Sequence, residues 1–422
     1  VLCIFIIVFL VSPSTTTTTA RLAVDTAQHH LSPPTSPYRK PRPRSGVELG
    51  PPPVAHYNLN NVTVTPDPIG NEEHILILSP MARFYQEYWD NLLQLSYPHE
   101  LITLGFILPK TKEGNAATTA LQKQIHKTQK QGPEKDRFKS IIILRQDFEP
   151  AVASQDESER HKMANQKARR EVMAKARNSL LFTTLGPSTS WVLWLDSDII
   201  ETPPTLIQDL ASFDKPVIAP NCFQRFYNEE KKEMDERPYD FNNWQDSDVA
   251  QQLAVQMGPD EILLEGYAEL ATYRALMAYM VTGPADNMVI PLDGVGGAAL
   301  LVKADVHRDG AMFPPFPFYH LIETEGFARM AKRLGWQPYG LPNYKVRLSS
   351  HPSCLAPTNP QNRSITTTNR NTGIQLHGSE TGTALSSNSL LVNDYNGRPT
   401  FLYWIYQKQL KDGEAPHEPV FE

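Results

Sequence analysis

From about residue 73 onward, short apolar runs without alternation are separated by stretches in which apolar residues recur at helical spacing. Unalternating runs suit strands buried on both faces of a parallel sheet, and their interleaving with helical patterns indicates an α/β fold. Strands are expected at residues 74–79 (HILILS), 101–108, 140–144 (SIIIL), 191–195, 216–219 and 298–303 (AALLVK). Helical patterns cover residues 83–95, about 157–185, 246–257, a stretch following EGYAEL (265–270) through Met280, and 324–334, with a further helix opening near Pro203. Residues 110–132 are polar and read either as an irregular helix or as an insertion.

The two edges of the chain follow other rules. Residues 1–11 (VLCIFIIVFLV) are apolar but too few to span a bilayer, which needs about 20. They are read as a truncated membrane anchor, with a signal-peptide core as the competing reading. Residues 12–72, rich in Pro, Ser and Thr, read as an extended stalk. Residues 349–422 are rich in Asn, Ser and Thr without clear periodicity until Thr400, and read as a divergent, poorly ordered tail. The globular part is then residues 73–348.

Charge and cysteines narrow the chemistry. A net charge of −6 and the lack of a basic, aromatic-laced stripe argue against nucleic acid as a ligand. Three cysteines, with Cys3 inside the apolar run, leave room for one disulfide at most, Cys222 to Cys354, and exclude a cysteine-based zinc site. Two glycosylation sequons, at Asn61 and Asn362, are compatible with a lumenal compartment.

The strongest chemical signal is residues 192–200, VLWLDSDII. A buried strand there delivers Asp196 and Asp198 at its carboxyl end, where ligands of open α/β sheets bind. Two carboxylates at i and i+2 can share a hard divalent cation, magnesium or manganese rather than zinc, and so neutralise a diphosphate. The bland alternative is a helix cap, but four residues separate Asp198 from Pro203, too far for a cap.

Arg177 lies late in the preceding basic helix, within reach of a diphosphate on the next strand; its alternative is a surface arginine offsetting a helix dipole. Asp240, inside YDFNNW, sits between aromatic rings that would stack on a sugar, unless those rings are core. LDGVGG (292–297) offers Asp293 and glycines, Gly294 among them, either for close ligand approach or for a tight hairpin. Glu323 and Glu325 read as first-turn helix acids stabilised by the dipole.

Taken in order, VLWLDSDI, PYDFNNW, EGYAEL, LDGVGGAALLVKA, ETEGFARMAKRLGW and GLPNYKV, with the opening LSPMARFYQEYWDNLLQLSYPHELITLGFI, closely resemble the fungal mannan-polymerase α-mannosyltransferase family over about residues 73–346. That resemblance implies a GT-A type glycosyltransferase fold with a Rossmann-like, mainly parallel sheet. It also implies a single-pass type II Golgi membrane protein whose catalytic domain is lumenal. The donor it implies is GDP-mannose, used with manganese or another divalent cation. The acceptor is α-1,6-linked mannan on protein N-glycans, extended with retention at the anomeric carbon, alongside other mannan polymerase subunits.

On this sequence the resemblance places the metal on Asp196 and Asp198 and the diphosphate by Arg177. The backbone of Leu78, Ser79 and Pro80 would lie near the nucleotide, and Asp240 and Asp293 would face donor sugar and acceptor. One position departs: where the family pattern leads to a histidine after GLPNYKV, this chain has Leu348, with His351 displaced nearby. Two functions therefore stand side by side, an active mannosyltransferase and a non-catalytic structural or glycan-binding subunit of a polymerase complex. A glycosidase would need its two carboxylates on separate elements flanking a sugar.

Overall fold

The computed structural model describes residues 54–147, 163–229, 231–265, 271–281 and 287–348. The chain divides into two units at Tyr57/Asn58, and every strand among the described residues belongs to the second. The expected anchor, most of the expected stalk, the tail, Cys354, Asn362, His351 and residues 266–270 lie outside the described residues. No described helix is long and apolar enough to cross a membrane.

The first four strands are β1 (His74–Pro80), β2 (Ile102–Leu108), β3 (Ser140–Arg145) and β4 (Thr189–Leu195), all parallel and ordered β3-β2-β1-β4. Helices α1 (Gln86–Leu93), α2 (Lys112–His126) and α3 (Met163–Thr184) connect them. Residues 110–132 are thus largely a helix: Thr111 caps it by accepting from the Gly114 N–H at 3.1 Å, and Ala117 and Leu121, four apart, bury its single apolar seam.

Beyond β4 come β5 (Ile199–Glu201), α4 (Leu206–Ser212), β6 (Val217–Asn228) and β7 (Glu233–Pro238). Then follow β8 (Trp244–Gln245), α5 (Asp248–Gln256), β9 (Ala275–Leu276) and β10 (Ile290–Pro291). The chain closes with β11 (Ala299–Lys303), α6 (Ala304–Arg308), α7 (Glu323–Arg333) and β12 (Pro338–Leu348). The sheet continues β4-β11-β6-β12-β10, with β11 antiparallel to both its neighbours. The helix expected up to Met280 is instead β9 and one 3-10 turn, Met277–Tyr279. Its apolar residues pair with β8 and pack under β12, so tertiary contacts decide their conformation.

Side chains of β4 leave in opposite directions, as a two-sided strand requires. Trp191, Leu193 and Leu195 enter one core with Ile75, Ile77 and residues of α1, α2 and α4. Val192 and Trp194 enter the other with Leu76, Leu78 and residues of α3 and α7. Burial of Leu193 and Leu195 contributes about 1.5–3 kcal/mol each, which fixes the strand end that carries the aspartates. Between β1 and β4 the strand order reverses, and the crevice at their carboxyl ends is the switch point where open α/β sheets bind ligands.

Candidate active site

Pro80, half-buried, ends β1 on one side of that crevice, and Asp196 follows β4 on the other. The Asp196 N–H donates to the carbonyl of Ala298 at 2.9 Å, and the Asp196 carbonyl accepts from the Ile199 N–H at 3.0 Å. The DSD segment is therefore a tight turn between β4 and β5, and the helix α4 starts well beyond it, so neither aspartate caps that helix.

Asp196 does not stand alone. Arg177 Nη2 donates to both of its carboxylate oxygens, at 3.0 and 3.2 Å, and Arg177 Nε donates to Glu323 Oε1 at 3.1 Å. The guanidinium lies over the rings of Trp194 and Phe313, 5.5 and 5.6 Å from their centroids. Burial works against the arginine's charge, but Asp196 and Glu323 outweigh it and hold the guanidinium protonated. Both of its hydrogen-bonded edges are thus taken by carboxylates.

Asp198 is the less compensated acid, helped only by its own backbone N–H and by the charge of Arg177. Its Oδ1 is buried with no hydrogen-bond partner. Burial first, and the Asp196 charge second, push its carboxyl up to about 7. Asp240 is buried behind them, and its Oδ1 accepts from the Asn242 N–H at 3.0 Å. Burial, then Asp196 and Glu325, push its carboxyl up to about 6. Cys222, a free thiol in the core, lies close enough for Asp240, Asp198 and Asp196 to add to the burial that raises it.

Among the described residues no group of three or more His, Cys, Asp or Glu is arranged to hold a metal ion. Asp196 and Asp198 nevertheless fit a hard divalent cation, because an orphaned, charge-starved carboxylate oxygen is what such an ion satisfies. Magnesium-like sites commonly take only one or two protein carboxylates and complete their shell with substrate phosphates and water.

The glycines of LDGVGG serve packing. A Cβ at Gly296 would stand 1.6 Å from Asp240 Oδ2, and one at Gly297 would stand 2.6 Å from Arg177 Nη2. Gly294 lies against the Trp244 indole, with 2.3 Å to its nearest ring atom, so that glycine makes room for a side chain. The segment is a close-approach seam under the site, and β11 follows it.

Other expected residues are placed differently. The partly exposed Asp293 carboxylate takes the ammonium of Lys332 on one oxygen and the Asp246 N–H, at 2.7 Å, on the other, so it ties the loop to α7 and to the segment just before α5. Trp244 is fully buried under Arg274, whose guanidinium lies 3.7 Å from the ring centroid, and Phe241 stacks on Tyr279. Trp244 is therefore core and offers no sugar platform, whereas Tyr239 and Phe241 are half-buried at the edge of the core. The Leu78 side chain is buried in the core and the Ser79 hydroxyl is hydrogen-bonded to the Tyr88 hydroxyl, so those two side chains point into the fold, and the backbone of the triplet ends β1 at the crevice with Pro80 half-buried at its mouth. Leu348 is buried against the core, paired with Ile199 one residue past Asp198.

Arg170, Glu323 and Glu325 also build the site, although their positions in the sequence suggest only a solvated helix face and first-turn acids. Glu325 is fully buried; it accepts from Trp244 Nε1 at 2.9 Å and pairs with Arg170, whose Nη2 donates to Asn242 at 3.1 Å. The signal was present in α3: Arg170, Ala174, Arg177 and Leu181 repeat at the 4-3-4 spacing of one helix face, and all are buried. Arginines within an apolar stripe require buried carboxylate partners.

A family model described as Anp1 matches residues 53–317. The chain belongs to the Anp1 family. It is 55% identical over 69% of its length to the mannan polymerase complex subunit MNN9 of Candida albicans, covering 79% of that protein. To the mannan polymerase complex subunit mnn9 of Schizosaccharomyces pombe it is 57% identical over 69% of its length, covering 84% of it. Among solved structures, a mannosyltransferase from Pyrobaculum calidifontis in complex with GDP-Man and Mn2+ is similar at a TM-score of 0.35 and 12% identity, over 69% of this chain and 60% of that one. Membership of the fungal mannan polymerase family agrees with the resemblance carried by the motifs, and the mainly parallel α/β sheet flanked by helices agrees with the expected fold class.

Proposed function

We propose that this Anp1-family chain is a metal-dependent α-mannosyltransferase of GT-A type, transferring mannose from GDP-mannose to α-1,6-linked mannan on N-glycans. In this reading it is a type II protein of the Golgi membrane acting with other mannan polymerase subunits. The observation that carries it is the pair Asp196 and Asp198 at the β1/β4 switch point, with the Asp198 oxygen buried and unpartnered.

In this mechanism Asp196 and Asp198 hold the divalent cation, which when bound offsets the charge that builds on the diphosphate leaving group. Arg177 orients Asp196 from beneath through Nη2 and is tied to Glu323 through Nε, while its buried Nη1 has no hydrogen-bond partner. Asp240, buried one layer behind, presents its carboxyl toward the acids of the turn, where a sugar hydroxyl donating to it would be held in place. Retention on one face, with the acceptor hydroxyl losing its proton to the leaving phosphate, requires no further base, so positioning is the protein's main contribution.

Leu348 favours a second reading. A buried leucine beside Ile199 cannot donate to a cation, which suits a subunit that keeps the fold and lends it to a catalytic partner. Manganese-dependent transfer from GDP-mannose to α-1,6-mannobiose separates the two readings. Transfer by the purified chain that is lost in Asp198→Asn establishes the enzyme. No transfer, with GDP bound and the fold intact, establishes the subunit.

A further inference from the structure

An arginine directly on a metal-binding aspartate is electrostatically awkward. Arg177 donates to both oxygens of Asp196, and its full positive charge opposes any cation that approaches from the exposed side of that carboxylate. The structure contains the remedy. Glu323 takes the opposite edge of the same guanidinium, Nε to Oε1 at 3.1 Å, with the arginine side chain only 2% exposed and the glutamate 12%.

Glu323 is held there at a cost. Its backbone is in the left-handed region, φ 55°, which is unfavourable for a non-glycine residue and is kept only where the surroundings impose it. Its N–H donates to the carbonyl of Pro314 at 3.1 Å, and the next residue, Thr324, abuts Gly297 on the far side of Arg177. Helix α7 is thereby turned so that its first residue meets Arg177 while Glu325, two residues on, meets Arg170 and Trp244. A glutamate placed only for the helix dipole would need neither burial nor strain.

We infer that Glu323 is a positioning and charge-balancing residue for the cation site: it cancels the Arg177 charge so that Asp196 and Asp198 keep their full attraction for a divalent ion. When ionised, Asp196, Asp198 and the linked pair Arg177 and Glu323 sum to −2, and without Glu323 the same four positions sum to −1. Removing one charge in a partly buried site weakens binding of a divalent ion by roughly tenfold or more, even at the high effective dielectric of a protein surface.

The inference rests on Asp196 and Asp198 being the cation site, and the experiment keeps the two apart. Mn2+ alone is titrated into the full chain and free ion is counted by electron paramagnetic resonance, for wild type, Asp198→Asn, Glu323→Gln, Arg177→Gln and the double variant Arg177→Gln/Glu323→Gln. Glu323→Gln keeps the size and an acceptor for Arg177 Nε, so it removes charge and little else.

The expected result is loss of binding in Asp198→Asn, a roughly tenfold or larger rise in Kd in Glu323→Gln, and recovery toward wild type in the double variant, whose charge sum is again −2. Recovery is the decisive arm, because a merely structural glutamate predicts that the double variant is the worst of the set. Binding by wild type that is lost in Asp198→Asn but unchanged in Glu323→Gln overturns the inference alone. A wild-type chain that binds no Mn2+ overturns the cation site and the inference with it. Melting temperatures of all five proteins identify any variant that fails to fold, and Glu323→Asp, which keeps the charge, then replaces Glu323→Gln with the expectation of near wild-type binding.

Discussion

Gly296→Ala isolates the packing of the site from its chemistry, since it alters no polar group. The added Cβ would lie 1.6 Å from Asp240 Oδ2, 2.3 Å from Cγ and 2.5 Å from Oδ1. Ordinary Cβ contacts begin near 3.4 Å and real ones essentially never fall under 3.0 Å, so the carboxylate must retreat by about 1.4–1.8 Å or the loop must open by as much. Asp240 has little freedom to retreat: it is buried, and its Oδ1 is tied to the Asn242 N–H. Gly296 is itself pinned, its N–H donating to Asn243 Oδ1 at 3.0 Å. Overpacking of this kind costs about 1–3 kcal/mol, and a domain of this size loses roughly 2–4 °C of melting temperature per kcal/mol. The expected phenotype is therefore a melting temperature lowered by several degrees and transfer reduced by on the order of 100-fold, the scale on which an ångström of misplacement acts. Mn2+ affinity should be nearly unchanged, because Asp196 and Asp198 stand on a different turn. Gly297→Ala, whose Cβ meets Arg177 Nη2 and Thr324, should show the reverse emphasis and lose Mn2+ affinity. Differential scanning fluorimetry, Mn2+ titration and a GDP-mannose transfer assay measure the three quantities. Wild-type transfer and melting temperature in Gly296→Ala would refute the reasoning, since they would mean that Asp240 has no fixed place.

Other outcomes follow from the buried titratable groups and from position 348. Asp198 has its folded-state pKa raised to about 7, so the folded protein binds a proton the unfolded chain releases, and ionising the group lowers stability as pH rises from about 4 through 7. Asp198→Asn should thus abolish transfer yet raise the melting temperature of the metal-free protein at pH 8, with the difference vanishing near pH 4. His307 behaves oppositely: burial lowers its pKa to about 4, with Nδ1 donating to the Ala311 carbonyl and Nε2 accepting from Trp194 Nε1 at 3.2 Å. The stability it lends is complete above pH 6.5 and is lost as pH falls toward 4, by about 3 kcal/mol in all, and comparison of denaturant midpoints for wild type and His307→Gln across that range should show it. Leu348→His replaces a buried apolar side chain by a polar one at a cost of about 1–3 kcal/mol, but sets an imidazole beside Ile199; Mn2+ should raise the melting temperature of this variant more than that of wild type, and an equal shift in both would show that position 348 does not reach the cation.

Local pattern was enough for the architecture and for the first acids. Strands β1 to β4 and β11 are runs of unalternating apolar residues whose conformation follows from burial on both faces, and the carboxyl end of such a run is where a parallel sheet presents ligands, so Asp196 and Asp198 were legible from VLWLDSDII. Strands β5 and β9 were not legible: they are three and two residues long and exist because a partner strand from elsewhere offers hydrogen bonds, as when Leu348 brings β12 to Ile199, while the polar β7 pairs with its chain neighbour β6. The functional identity of the remaining charged residues lay in the same non-local domain. Whether Asp240 faces a ligand or a glycine, whether Asp293 is free or held by Lys332, and whether Glu323 serves a helix dipole or an arginine all depend on contacts between residues tens to more than a hundred positions apart. A charge declares its type in the sequence; its partner, its burial and therefore its energy are properties of the folded molecule, because electrostatic interactions depend on distance and local dielectric, which only the tertiary structure sets.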